Sequence, residues 1–244
     1  MFALVSANEN RAFSREHSLA ADLATDSRER HDLHVNDSSN FALERFLREE
    51  IAGRIERVNG RSWETTERLT FTRDLSQAIT DASVEFELDP FLLLAMIETE
   101  SRYNKNAIGG HGELGLMQIK PSTARWITPV TDANWNCDLH EVRCNVMTSA
   151  RYVRYIKDRI QDNKLKREDF HVLKTEKAIR IHTLRSYNLG PARANRQPAN
   201  LENPASEILP YAAKITARAE QFKTRFETNT TTTTRSETQI AMSH

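Results

Sequence analysis

Hydrophobic residues recur at helical rather than strand spacing along most of this chain. Between Phe41 and Val58 the apolar positions are Leu43, Leu47, Ile51, Ile55 and Val58, three or four apart with charges between them. That is the stripe of an amphipathic helix. A second stripe, Leu75, Ile79 and Ala82, predicts a helix from near Arg73 to Phe86. The pattern then changes. Phe91-Leu92-Leu93-Leu94-Ala95-Met96-Ile97 is apolar without interruption, and a helix apolar all round belongs at the centre of a core. Asp89 stands where its N-cap is expected and Pro90 at its first helical position. Pro121-Ser122-Thr123-Ala124 reads as another helix start. Cys144 to about Gln161 and Glu176 to about Asn188 read as further helices, and Pro210 opens a last one to about Phe226. After Gly190, the prolines Pro191, Pro198 and Pro204 predict loop.

The flanks carry no such period. Residues 1–36 mix Ser, Asp, Glu, Arg and His and are expected to be disordered. Residues 37–62 form an accessory helix with a break at Gly60, residues 63–226 the main domain, and residues 227–244, with five consecutive threonines from Thr230 to Thr234, a disordered tail. The accessory helix is expected to pack on the main domain; the second reading makes it an interaction helix for a partner. No repeat of 20 to 50 residues is present.

Composition narrows the class. The 244 residues are 39% hydrophobic and 28% charged, as in soluble globular proteins. Glycine and proline number seven each, and no proline precedes Pro90, which favours an all-α fold over a turn-rich β fold. Lys+Arg and Asp+Glu are both 34, so no basic surplus points to nucleic acid. Met1 to Ala7 is too short an apolar run to be a signal peptide and lacks a basic start, and no stretch approaches membrane-span length. Cys137 and Cys144 fit a disulfide in an oxidising compartment and two buried thiols equally well. Neither His111 nor His182 has a second histidine or cysteine at zinc spacing, and no motif asks for a cofactor.

The candidate chemistry centres on Glu100. It closes the apolar helix and precedes Ser101-Arg102-Tyr103-Asn104 and a glycine-rich turn, Gly109-Gly110-His111-Gly112-Glu113-Leu114-Gly115, which holds four of the seven glycines. At about 100° per residue Glu100 shares a face with Leu93, Met96 and Ile97, whereas Glu98 lies on the opposite side with Leu94 and Phe91. Glu98 is therefore expected to be solvated or salt-bridged, not paired with Glu100. A carboxyl at the end of a buried helix has its charged form disfavoured and its pKa raised toward neutrality, the condition for a general acid. Alone, Glu100 reads equally as a helix-terminal surface carboxylate.

Six motifs in order decide between those readings. Glu100-Ser101-x-Tyr103-Asn104 is followed by Gly112-x-x-Gly115-Leu116-Met117-Gln118-Ile119 and Pro121-x-Thr123-Ala124. Asn145-Val146 with Tyr152-Val153, Ser186-Tyr187-Asn188-Leu189-Gly190 and Tyr211-Ala212-Ala213-Lys214-Ile215 come next. Over about residues 70–220 this series resembles the soluble lytic transglycosylase (SLT) domain, a goose-lysozyme-like helical fold acting on peptidoglycan. The sequence departs from the family pattern at Lys105, Ser149 and Ser186, none of which carries an assigned chemical role.

The resemblance implies a lyase that cleaves the β-1,4 bond between N-acetylmuramic acid and N-acetylglucosamine and closes a 1,6-anhydro ring. Glu100 serves as both general acid and general base. It implies substrate contacts from Ser101, Met117, Gln118, Tyr187 and Asn188, and a Tyr211 hydroxyl that orients the glutamate. The apolar residues around Gln118 also read as core, Tyr187-Asn188 as a helix end before the terminating Gly190, and Tyr211 as an ordinary half-buried tyrosine. Peptidoglycan glycan strands are the implied partner, the cell envelope, periplasm or exterior the implied location. A hydrolytic muramidase and a catalytically silent glycan-binding or secretion-accessory module are the alternatives, and Glu113 is the nearest competing carboxylate.

Overall fold

The computed structural model describes residues 37–59, 64–128, 137–162, 175–196 and 209–241; the expected disordered start and the loops around Pro198 and Pro204 lie outside them. Among the described residues the fold is all-α. The helices are α1 (Asp37–Asn59), α2 (Thr65–Glu85), α3 (Pro90–Glu100), α4 (Pro121–Ile127), α5 (Val142–Gln161), α6 (Glu176–Leu189), α7 (Pro191–Arg196) and α8 (Leu209–Ala241).

The apolar run makes α3 the axis of the domain. Its residues Phe91 to Ile97 are all buried, and it lies against α2 and α8. Asp89 caps it by accepting from the Phe91 N–H at 2.9 Å, and Pro90 starts the first turn. Around it gathers a core of Leu75, Ile79 and Ala82 from α2, Val146, Ala150 and Val153 from α5, Leu184 from α6 and Ile215, Ala219 and Phe222 from α8. The stripe of α1 joins this core, with Leu47, Ile51 and Ile55 no more than 1% exposed. Its apolar face is thus spent on α2 and α8, and Glu50 on the same helix pairs with Arg225 of α8.

A smaller apolar cluster lies beside the first. Ile119, Ala124 and Ile127 from around α4 meet Tyr152, Tyr155, Ile156 and Ile160 of α5 and Ile179 of α6. Trp126 stacks edge-on against Tyr155 with ring centroids 4.9 Å apart. Tyr187 borders both clusters, so α6 marks the seam between them.

Three helix boundaries differ from the expectation. Helix α2 starts at Thr65, not near Arg73; its first turns are mostly exposed, so no apolar stripe announces them. Pro191 opens the short helix α7 where loop was expected; a proline at the first helical position costs no hydrogen bond. Helix α8 continues past Phe226 through the threonine run to Ala241. Propagating a helix already docked needs only one new bond per fixed residue, and the hydroxyls of Thr228 and Thr230 donate back to the Thr224 and Phe226 carbonyls.

Candidate active site

The chain reverses sharply after α3. Arg102 and Tyr103 both adopt left-handed backbone, with φ of 52° and 66°, and the Tyr103 side chain is fully buried. This turn stops the helix at Glu100 and leaves its carboxyl partly buried at the core's edge. Burial raises its pKa above the usual carboxylate range; the Tyr211 hydrogen bond pulls the other way, the Glu113 charge adds to the rise, and Lys214 opposes it. The Tyr211 hydroxyl donates to Glu100 Oε1. Tyr211 is itself pushed well up by burial, then by the neighbouring carboxylate, so it stays a neutral donor.

Glu98, two residues earlier, faces elsewhere. It pairs with Arg218 of α8 at 2.8 Å and Arg54 of α1 at 3.2 Å. The opposite-face geometry read from the sequence is what the structure has, and the two glutamates form no pair.

A second turn faces Glu100. The Gly109 N–H donates to the Glu113 carbonyl at 2.8 Å, and Leu114 and Ile119 bond each other's backbone at 3.0 and 3.2 Å. Gly115 has φ of +73°, and a Cβ there would lie 2.2 Å from the Leu139 carbonyl and 2.3 Å from Asn145 Nδ2. Only glycine fits that approach. Asn145, buried on α5, fastens the turn: its Oδ1 accepts from the Met117 N–H at 2.8 Å, and its Nδ2 donates to the Leu114 and Leu139 carbonyls at 2.9 and 2.8 Å. The disulfide between Cys137 and Cys144 ties the Leu139 segment to the start of α5.

Gln118 sits at the tip of this turn with φ of 51°. A left-handed non-glycine residue there is a strained conformation held by its surroundings. Its amide nitrogen donates to the Gly115 carbonyl at 2.9 Å and the Ala107 carbonyl at 3.2 Å. Both donor contacts are thus internal, which leaves the amide oxygen as the atom for a ligand.

Between these parts runs a groove of about 490 Å³ lined by Glu100, Gln118, Tyr187 and Asn188 together with Glu113, Lys120, Thr123, Tyr152 and Arg193. Tyr187 crosses its floor and donates to the Met117 carbonyl at 2.8 Å. Burial, then the nearby Glu100 carboxylate, raises the Tyr187 pKa, and burial raises that of Tyr152 to about 12. Glu113 is the contrary case. Burial pushes it upward, but its own and the His111 backbone N–H and Lys120 Nζ at 3.5 Å together outweigh that push, so its pKa falls. One groove therefore holds a carboxyl biased toward its neutral form and another held ionised.

The structure thus brings Glu100, Gln118, Tyr187 and Asn188 into one groove, with Tyr211 fixing Glu100. Two candidates stand apart. The Met117 side chain is 0% exposed, so it belongs to the core and its part in the groove is the carbonyl that anchors Tyr187. The Ser101 hydroxyl turns back on α3 and donates to the Ile97 carbonyl at 3.2 Å, and Ser101 does not line the groove. The sequence reading gave no role to Asn145, Lys120 or Arg193. Asn145 carried a usable signal, a polar residue in the apolar stripe of α5. Among the described residues no group of three or more His, Cys, Asp or Glu side chains is placed to hold a metal ion, and no helix is long and apolar enough to cross a membrane.

An all-helical, lysozyme-like domain with a partly buried glutamate at the edge of an open groove is the class these features define. Residues 77–209, over half of the chain, match the transglycosylase SLT domain, and the chain belongs to that family. A protein named "Transglycosylase" from Enterobacteria phage PRD1 is 41% identical over 49 residues, which cover 20% of this chain and 18% of the phage protein. The match spans about a fifth of either.

Proposed function

We propose that this chain is a peptidoglycan lytic transglycosylase with Glu100 as its single general acid and base. Glu100, biased toward its protonated form, gives its proton to the glycosidic oxygen between N-acetylmuramic acid and N-acetylglucosamine. The bond breaks with the electron pair leaving on that oxygen, and positive charge develops at C1 of the muramic ring. The carboxylate left behind then takes the proton of the same sugar's C6 hydroxyl, whose oxygen attacks C1 and closes the 1,6-anhydro ring. No water is consumed, and Glu100 ends protonated as it began. One group can do both only if its pKa lies near working pH.

Tyr211 holds the carboxylate in line through both steps. Gln118 presents an amide oxygen, and Asn188 an exposed amide, to the sugar groups. The observation that carries this reading is the Glu100 carboxyl, partly buried, bonded by Tyr211 and opening on the groove. Such a substrate places the working protein in the cell envelope, the periplasm or outside the cell, and α1 remains the surface for any envelope partner.

Hydrolysis by a muramidase is the second reading, and Glu113 is the observation that favours it. An ionised carboxylate in the same groove is what a water-activating or ion-stabilising partner requires. Digestion of purified sacculi in ¹⁸O-labelled water with mass analysis of the products separates the two. Anhydro-muramic ends without label are expected; label at the muramic C1 in most products replaces this reading with the muramidase. A silent binding module releases neither product.

A further inference from the structure

We propose that Arg193 is a specificity residue that binds a carboxylate of the peptide stem borne by muramic acid, so that the groove selects strands whose stems carry free carboxylates. The inference rests on the glycan-strand reading of the groove and adds what the strand must carry. It starts from the charges lining the groove. Among the described residues these are Glu100, Glu113, Lys120 and Arg193, with His111 at the edge. Lys120 is matched by Glu113 at 3.5 Å. Arg193 is exposed and has no carboxylate of the described residues beside it. Arg193 is thus the cation of this lining that has no carboxylate partner among the described residues, and it is a guanidinium.

The backbone under Arg193 is fixed, while its side chain has no hydrogen bond or ion pair to the other described residues. Arg193 and Ala194 donate their N–H groups to the Gly190 carbonyl at 3.1 and 3.0 Å, and Ala194 is 0% exposed. Helix α7 is thus pinned on its inner side and presents Arg193 outward at the rim, beside Asn188 and Gly190. With the lactyl carboxyl of each muramic acid tied up in the amide to its stem, the sugar strand itself is neutral and has no use for a cation there. The peptide stem brings free carboxylates that hang away from the strand. A planar guanidinium pairs with a carboxylate in a two-bonded fork, which a lysine cannot reproduce. A sugar phosphate would offer the same fork an anion. On the C6 oxygen, however, it would remove the hydroxyl that closes the anhydro ring, so the stem carboxylate is the occupant compatible with the chemistry.

The test uses stem-bearing glycan strands from sacculi, with the stem carboxylates either free or converted to neutral amides, and the full chain. Binding is measured on Glu100→Gln protein, which holds strands without cutting them, with and without Arg193→Ala, Arg193→Lys or Arg193→Glu. The expected result is tighter binding of the strands with free stem carboxylates, by about 10-fold as for a charge-assisted pair of roughly 1.4 kcal/mol. That preference should be lost in Arg193→Ala, reversed in Arg193→Glu and only partly kept in Arg193→Lys. Equal binding of both strands by the Arg193-intact protein, or an unchanged preference in Arg193→Glu, overturns the proposal. The ¹⁸O digestion judges the anhydro mechanism separately, because strand preference is read here without turnover.

Discussion

Replacing Glu100 by glutamine should remove activity and leave the protein at least as stable at neutral pH. The amide keeps the shape of the side chain, and its oxygen can still accept from Tyr211, so the packing around α3 is unchanged. It has no proton to give. Loss of a general acid/base group costs about 10²–10⁴-fold in rate, or roughly 2.7–5.5 kcal/mol of barrier. Stability runs the other way. Burial raises the folded-state pKa of Glu100 above its ordinary 4.5, so between the two values the folded state binds more protons than the unfolded one. Stability from this group therefore falls as pH rises through that window. The cost is absent below pH 4.5 and complete once Glu100 is ionised in the fold. Glutamine never bears that cost. Thermal unfolding of both proteins from pH 4 to pH 8, beside release of soluble muropeptides, measures the two effects. The variant's Tm should match wild type at pH 4 and equal or exceed it at pH 8. A variant that still cuts within 10-fold of wild type, or that is markedly less stable at pH 8, would refute the assignment of Glu100 as a buried acid.

Three further substitutions probe the supports of the site. Glu98→Gln should leave turnover within about 2-fold, because Glu98 faces Arg54 and Arg218 and not the groove; its partly exposed ion pairs are worth at most about 1 kcal/mol, read as a small drop in urea midpoint. Asn145→Ala should cost about 3 kcal/mol, since one buried amide serves three backbone groups, and activity should fall with it; an unfolding curve that overlays wild type would deny Asn145 its clamping role. Cys137 and Cys144 should appear as a disulfide in the non-reduced mass of protein from an oxidising compartment. The loop closed is short, with a separation of seven residues, so reduction should lower stability by about 2–2.5 kcal/mol on the chain-entropy scale.

What the sequence made legible was whatever depends on period or local order. The unbroken apolar run identified α3 as central, and simple helical geometry separated Glu100 from Glu98. What it did not show depends on chain paths between distant segments. Helix α2 begins in exposed residues that carry no stripe, and α7 hides behind a proline that serves equally as a loop signal. Met117 stands next to Gln118, yet one faces the core and the other the groove, because the left-handed backbone at Gln118 turns the chain between them. No periodicity encodes that turn. It is fixed by Asn145, 27 positions after Gln118 in sequence, and by a glycine pressed against that asparagine. Arg193 was invisible for a similar reason: a lone arginine after Gly190-Pro191 gains meaning only when α7 brings it to the rim.

Glu113 offers the sharpest separation of the two cleavage chemistries. Its charge raises the Glu100 pKa, while its own is lowered because the backbone N–H groups and Lys120 together outweigh the upward push of burial. Neutralising it in Glu113→Gln removes a like charge from the neighbourhood of the acid, so the Glu100 pKa should fall. In the proposed mechanism the protonated form is the active one in the first step, and the alkaline limb of kcat/KM then reports its pKa in the free enzyme. That limb should therefore move to lower pH while the plateau at acid pH stays within about 10-fold of wild type, since the anhydro route asks nothing further of Glu113. If Glu113 instead activates water or stabilises the sugar cation directly, its amide removes a reacting group. Activity would then collapse by about 10²-fold or more at every pH, with no limb left to shift. A pH profile of this one variant thus distinguishes a carboxylate that tunes the acid from one that shares in the reaction.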